Sequence, residues 1–99
     1  MNYKVRYTKT AKEDLKRLIT FLNERDPQAA QRARKAIVAS TKLLEQFPFT
    51  CRKAMPENAF LREMVISFGA AGYVALFEIE NGEVVTILAI RHQREDDYL

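Results

Sequence analysis

Val84-Val85-Thr86-Ile87-Leu88-Ala89-Ile90 runs directly into Arg91-His92-Gln93-Arg94. A run this rich in β-branched residues is a strand. Both of its parities are apolar, so the strand is central in a sheet or covered on both faces. It ends in a cluster of cations that holds the chain's only histidine. The last core strand therefore leads into charge, and its exit is the first place to look for contacts.

Working backwards, Asn81-Gly82 is a strong hairpin signal, because both turn residues favour positive φ. Tyr73 to Ile79 is the partner strand, and Gly69-Ala70-Ala71-Gly72 is a turn. Leu61 to Phe68 reads as a further strand with Met64, Ile66 and Phe68 on one face. Phe49 to Phe60 has no clean period and reads as a loop.

The first half is different in kind. Tyr3, Val5 and Tyr7 alternate with Lys4 and Arg6, the pattern of a short, half-exposed strand. Thr8 or Thr10 caps the helix that follows, and Glu13 gives Thr10 a capping box. Ala11, Leu15, Leu18, Ile19 and Leu22 recur at helical spacing. Asp26-Pro27 restarts the chain as a second helix. Its inner stripe is Ala29 or Ala30, Ala33, Ala36, Ile37, Ser40, Leu43, Leu44 and Phe47, and Pro48 ends it. The short connection makes the two helices an antiparallel hairpin. The order is strand, helix, helix, strand, strand, strand (β-α-α-β-β-β). This predicts a two-layer α+β domain, with the helix hairpin packed on a small, mainly antiparallel sheet.

The 99 residues make a single domain, and 47% hydrophobic with 29% charged residues is too apolar for a disordered chain. No apolar run approaches the ~18 residues of a membrane span. The N-terminus shows no apolar signal core. One cysteine, Cys51, forms no internal disulfide, which fits a reducing cytoplasm. A lone histidine and a lone cysteine make no metal set, so neither metal nor cofactor is expected. Residues 1–53 carry 13 Lys and Arg against 5 Asp and Glu, whereas residues 54–99 carry 3 against 8. A basic half of this kind attracts nucleic acid or an acidic protein, or is the solvated outer face of two helices.

The order and its residues resemble the RelE/ParE superfamily of bacterial toxin–antitoxin toxins over residues 1–99. Tyr7-Thr8, Ala11 and Asp14-Leu15 are similar to the family's capped Ala-x-x-Asp-Leu opening. Leu43-Leu44-Glu45-Gln46-Phe47-Pro48 is similar to its Phe-Pro end to the second helix. Leu61-Arg62, Tyr73-Val74-Ala75-Leu76-Phe77 and Ile87-Leu88-Ala89-Ile90-Arg91-His92 resemble its later strands. The long second helix and the Arg-His-Gln-Arg exit are more like the ParE branch than the RelE branch. The chain departs from the shorter ParE pattern at Phe68 to Gly72, where extra residues lengthen one hairpin.

The resemblance implies a toxin that inhibits DNA gyrase and is neutralised by a cognate antitoxin, as a toxin dimer or a toxin–antitoxin hetero-oligomer. It implies target contacts by Arg91, His92, Arg94 and Tyr98, with Lys12, Lys16 and Arg17 facing the antitoxin. The alternatives are a RelE-like endoribonuclease acting on mRNA at the ribosome, or an inactive relative that only binds antitoxin. The nuclease would use Arg62, Arg91 and His92. Arginine clamps phosphate, and an unperturbed histidine titrates near neutrality. Arg62 reads more readily as a structural pair or a partner contact, and His92 as a surface residue. Glu95, Asp96 and Asp97 would repel a phosphate backbone at that end. Arg52 and Lys53 beside Cys51 would favour a thiolate, but with no partner histidine nearby in sequence Cys51 reads as a plain loop or core residue.

Overall fold

The computed structural model of the chain describes residues 2–95 and Tyr98. A first strand, β1 (Lys4–Tyr7), leads into α1 (Lys9–Asn23) and α2 (Pro27–Lys42). Four strands follow: β2 (Arg52–Met55), β3 (Asn58–Phe68), β4 (Ala71–Glu80) and β5 (Val84–His92). They form one five-stranded sheet in the order β1-β5-β4-β3-β2. Only the β1–β5 pair is parallel. The architecture is the expected two-layer α+β fold with one strand more than the sequence reading.

That extra strand, β2, lies inside the segment read as a loop. Its four residues are too short to show a period, and its pairing with β3 is irregular between Lys53 and Met55. Tertiary contacts hold it instead. Arg62 donates from Nε to Ala59 O at 2.8 Å, and from one terminal nitrogen to Cys51 O at 2.7 Å and Phe49 O at 3.2 Å. These bonds satisfy carbonyls of the irregular corner that no ladder reaches.

The helices begin as read and end differently. Thr8, not Thr10, caps α1: its Oγ1 accepts from Ala11 N at 3.1 Å. Asp26 caps α2 by accepting from Ala29 N at 3.1 Å. The α-helix closes at Lys42 and tightens into a 3-10 turn, Leu43–Glu45, instead of continuing to Phe47. The buried stripe of α2 runs through Ala30, Ala33, Ile37, Thr41 and Leu44, so Leu43 and Phe47 face outward. Thr41 is accommodated because its hydroxyl donates to Val38 O at 3.1 Å and meets Tyr7 Oη at 2.7 Å.

The core lies between the helices and one face of the sheet. Ala11, Leu18, Ala33, Ile37 and Leu44 pack on Ile66, Tyr73, Ala75, Phe77, Ile79, Val85, Ile87 and Ile90. Small alanines on α2 let the helices approach closely at the start of the hairpin. Asn81 and Gly82 adopt φ of 54° and 69°, as the hairpin signal requires. The extra residues at Phe68 to Gly72 are absorbed into pairing: Ile66 sits opposite Tyr73 and Phe68 opposite Ala71, and the turn tightens at Gly69, φ 62°. Among the described residues no helix is long and apolar enough to cross a membrane.

The opposite face of the sheet is polar and partly covered. Arg6 Nε donates to Thr86 Oγ1 at 2.9 Å and its guanidinium pairs with Glu80 at 3.1 Å. Thr86 in turn donates to Glu80. Val74 and Ala89 are buried on this face, so β4 and β5 have cover on both sides, as the doubly apolar run of β5 anticipates.

Candidate functional site

The exit of β5 is built by alternation. Successive side chains of a strand point to opposite faces, and Ile66, Tyr73 and His92 share one register line on the helix side. Arg91 pairs with Val74 and so faces the other side. The cationic cluster therefore splits: His92 lies on one face of the sheet and Arg91 on the other.

On the helix side His92 packs edge-on against Tyr73, ring centroids 5.6 Å apart. Its Nδ1 accepts from the backbone N–H of Arg94 at 3.1 Å, so a neutral ring carries its proton on Nε2. A groove of about 740 Å³ opens beside it. Leu18, Phe21, Phe68 and Tyr73 supply its apolar walls, and Arg17, His92, Arg94 and Glu95 its polar rim. Phe21 is 59% exposed, with the Arg25 guanidinium 3.8 Å above its ring. Gly72 lets the β3–β4 strands meet here, because a Cβ would collide with the Ile66 carbonyl oxygen. Gly72 O also accepts from Gln93 N at 2.8 Å, which turns the chain after the strand.

The rim is tied down by a carboxylate. Glu95 accepts from His92 N at 2.8 Å and pairs with Arg17 at 3.4 Å, and Arg17 lies 4.0 Å from Asp14. Arg17 thus belongs with His92 and Arg94 and not with the two lysines it was grouped with. Lys12 lines a different cleft beside β1, and Lys16 is exposed on α1.

On the other face Arg91 donates to Glu95 O at 2.7 Å, His92 O at 3.2 Å and Gln93 O at 3.4 Å. Its guanidinium lies 5.3 Å from the Tyr98 ring centroid. Tyr98 donates its hydroxyl to Glu63 on β3 at 2.7 Å. Arg52 on β2 donates to the same carboxylate at 3.2 Å. Arg91 and Glu63 lie on the strands either side of β4, so Tyr98 reaches across β4 between them. Arg91 and Tyr98, expected as contacts to the target, are each held by other residues of the chain itself. Burial, and then the Glu63 carboxylate, hold the Tyr98 hydroxyl well above the ordinary phenol range. Asp96 and Asp97, expected to repel phosphate, lie outside the described residues.

Arg62 does not join this cluster. β4 separates its strand from that of Arg91, and its register partner is Phe77. Its Nε and one terminal nitrogen donate to the Ala59, Cys51 and Phe49 carbonyls, and it lies 5.3 Å from the Phe49 ring centroid. Cys51 is half-buried and packs against the core, the plain residue that was expected. Burial pushes its thiol up, and the opposing cation is Arg62, not Arg52 or Lys53. Among the described residues no three His, Cys, Asp or Glu side chains are placed to hold a metal ion.

The residues that place the cations are acidic: Asp14, Glu63 and Glu95. Asp14 entered the sequence reading as part of the helix opening and Glu95 as a charge that repels phosphate, not as anchors. Glu63 went unread, and its tyrosine partner lies 35 residues away.

Comparison with known proteins agrees with the fold. The family model described as the ParE toxin of the type II toxin–antitoxin system parDE matches residues 5–97. The chain is similar to Toxin RelE1 of Caulobacter vibrioides, 35% identical over 95 residues, covering 96% of this chain and 98% of the relative. It is similar to Toxin RelE3 of the same organism, 36% identical over 85 residues, covering 86% and 88%. Among solved structures, a chain of the chromosomal ParDE system from P. aeruginosa superposes with a TM-score of 0.74 at 22% identity, covering 91% of this chain and 95% of that one. A chain of the RelBE2 toxin–antitoxin complex from Mycobacterium tuberculosis gives 0.57 at 24% identity, covering 94% and 100%. With an α+β fold of this order and a family match over nearly its whole length, the chain belongs to the ParE toxin family of type II toxin–antitoxin systems, within the RelE/ParE superfamily.

Proposed function

We propose that this chain is a cytoplasmic toxin that acts by binding: it inhibits DNA gyrase through the groove at the exit of β5 and is neutralised by a cognate antitoxin. The observation that carries the reading is the state of its cations. Cleaving RNA by its own 2′-hydroxyl needs a base, an acid and free cations around the phosphate. Arg62 donates to backbone carbonyls, Arg91 donates to its own tail, and Tyr98 is held protonated by burial and Glu63. What remains open is a groove with apolar walls and a rim of Arg17, His92 and Arg94. Apolar walls with a charged rim suit a protein surface. The ParE description of the matching family supports gyrase as the target, and the solved ParDE and RelBE2 systems support an antitoxin partner.

The second reading is ribosome-dependent mRNA cleavage, favoured by the RelE names of the two relatives. One pair of assays separates them. Purified gyrase relaxes or supercoils plasmid with and without the chain, and primer extension maps cuts in ribosome-bound message. Loss of supercoiling with intact message supports the gyrase reading. New message ends with normal supercoiling overturn it. Antitoxin binding with neither effect marks an inactive relative.

A further inference from the structure

The outer face of the helix layer carries cations without partners. Lys9 and Lys16 on α1 and Lys35 and Lys42 on α2 are exposed, and among the described residues none of the four forms an ion pair. Each stands two residues from a buried position: Lys9 from Ala11, Lys16 from Asp14 and Leu18, Lys35 from Ala33 and Ile37, and Lys42 from Leu44. Two residues turn an α-helix by about 200°, so these lysines point away from the sheet. Glu13 is the exposed carboxylate between Lys9 and Lys16, whereas Asp14 is turned inward to Ile90 N.

The turn between the helices, residues 24–26, sets their relative level. Counting back from it along α1 and forward along α2 puts Lys16 level with Lys35 and Lys9 level with Lys42. Seven residues separate the two lysines of each helix, ~10 Å along its axis, and packed helices lie ~8–10 Å apart. The four lysines are thus rooted at the corners of a rigid patch. Thr20, Gln28 and Gln31 are exposed beside them, and Val38 is the exposed aliphatic among them. Lysine, threonine and glutamine are side chains that contact phosphate. The aromatic anchors that dominate protein interfaces, and that single strands stack on, are missing from this face. Exposed Phe21 lies to its side, in the wall of the β5 groove. The second half of the chain has the opposite sign, since residues 54–99 carry 3 Lys and Arg against 8 Asp and Glu. A polyanion is therefore steered onto the helix layer.

We propose that the outer face of the helix hairpin grips the phosphate backbone of duplex DNA through Lys9, Lys16, Lys35 and Lys42. The inference rests on the gyrase reading and deepens it: the groove at the exit of β5 meets the enzyme, and the hairpin meets the DNA that the enzyme holds. A duplex presents a stiff array of phosphates, one charge per ~1.7 Å of axis, which a fixed patch of lysines can match without ordering a flexible strand. Contacts of this kind fix position on the duplex and read no sequence.

The test uses the full chain and a labelled duplex oligonucleotide of mixed sequence, followed by fluorescence anisotropy. Four phosphate contacts give a logarithmic salt slope of about −3.6, a ~100-fold loss of affinity between about 50 and 200 mM salt. Lys16→Gln combined with Lys35→Gln flattens that slope by about 1.8 and weakens binding ~10-fold or more at the lower salt. Both positions are exposed and glutamine keeps the helix propensity of lysine, so the fold survives. Lys4→Gln combined with Lys53→Gln, an equal charge change on the two edge strands of the sheet, binds as the parent does. In the supercoiling assay the hairpin double variant inhibits less than the parent at equal concentration. No duplex binding at low salt, equal losses in the two double variants, tighter binding of single-stranded RNA of the same length, or undiminished gyrase inhibition by the hairpin variant would each overturn the proposal. A parent chain that binds the duplex with the expected slope, loses that binding in the hairpin variant and leaves supercoiling untouched upholds the duplex contact and overturns the gyrase reading alone.

Discussion

Asp14 Oδ2 accepts a hydrogen bond from the backbone N–H of Ile90 at 2.9 Å, joining α1 to β5 across 76 residues of chain. The contact has a clear cause. β1 stops at the Tyr7–Ile87 pair, so the edge of β5 beyond it has lost its neighbouring strand. Side chains at the start of α1 take over that edge: Thr8 Oγ1 donates to Leu88 O at 3.0 Å, and Asp14 receives Ile90 N. Asp14 is 5% exposed, and its removal leaves a buried N–H unpaired. Asp14→Ala is expected to destabilise the fold by about 1–3 kcal/mol. Asp14→Asn keeps an acceptor and should lose less. Urea unfolding of the three proteins, compared by midpoint at equal slope, checks the order.

The fold was legible because its signals are local. Asn81-Gly82, the Asp26-Pro27 restart and the stripe from Ala11 to Leu22 each report on a few neighbouring residues. The losses have equally physical reasons. β2 is held by the reach of Arg62 from a different strand, which no period of four residues records. Leu43 and Phe47 turned outward because the helix tightened at Lys42, shifting the phase of the stripe toward Thr41 and Leu44. At the site, the sequence brought a cluster of cations into view but could not divide them between faces. Whether Arg91 or His92 points at the helices is set by the register with β4, and register is a tertiary fact.

Arg62 makes a prediction of its own. Its guanidinium holds three carbonyls of the corner that precedes and opens β3. A lysine cannot fork in this way. Arg62→Lys and Arg62→Ala should both lower stability, by about 1–3 kcal/mol for the alanine. Toxicity per folded molecule should persist. The check is growth inhibition normalised to soluble, folded protein. Loss of toxicity at unchanged stability would assign Arg62 to the chemistry of the nuclease reading.

Tyr98 gives the fold a sensitivity to high pH. Burial and the Glu63 carboxylate raise its pKa in the folded state above the unfolded value. The neutral phenol is therefore favoured by folding. Its contribution is fully present below the unfolded pKa, about 10, and is lost as pH rises beyond that toward the folded value. Tyr98→Phe removes the titrating group, so its stability should fall less steeply above that pH than the parent's. Thermal melts of the two proteins across the alkaline range, at constant ionic strength, measure the difference. Identical slopes would show that the tail does not hold Tyr98 against Glu63 in solution.

The division of the exit between faces yields the sharpest functional prediction. Arg94, His92 and Arg17 stand around one groove, whereas Arg91 serves the tail on the other face. If gyrase is engaged through the groove, reversing charge at its exposed rim should act on association with little effect on the fold. Arg94→Glu is expected to raise the concentration that half-inhibits supercoiling by ~10-fold or more, and more at low salt than at high salt. His92→Ala removes the ring packed on Tyr73 and widens the groove, so it should weaken inhibition with a smaller salt dependence. Arg91→Ala frees its own tail carbonyls and should show its main effect in stability. Supercoiling titrations at two ionic strengths, paired with melts of each variant, separate these responses. A pattern in which Arg91→Ala abolishes inhibition at full stability while Arg94→Glu does nothing would move the contact surface to the opposite face of the sheet.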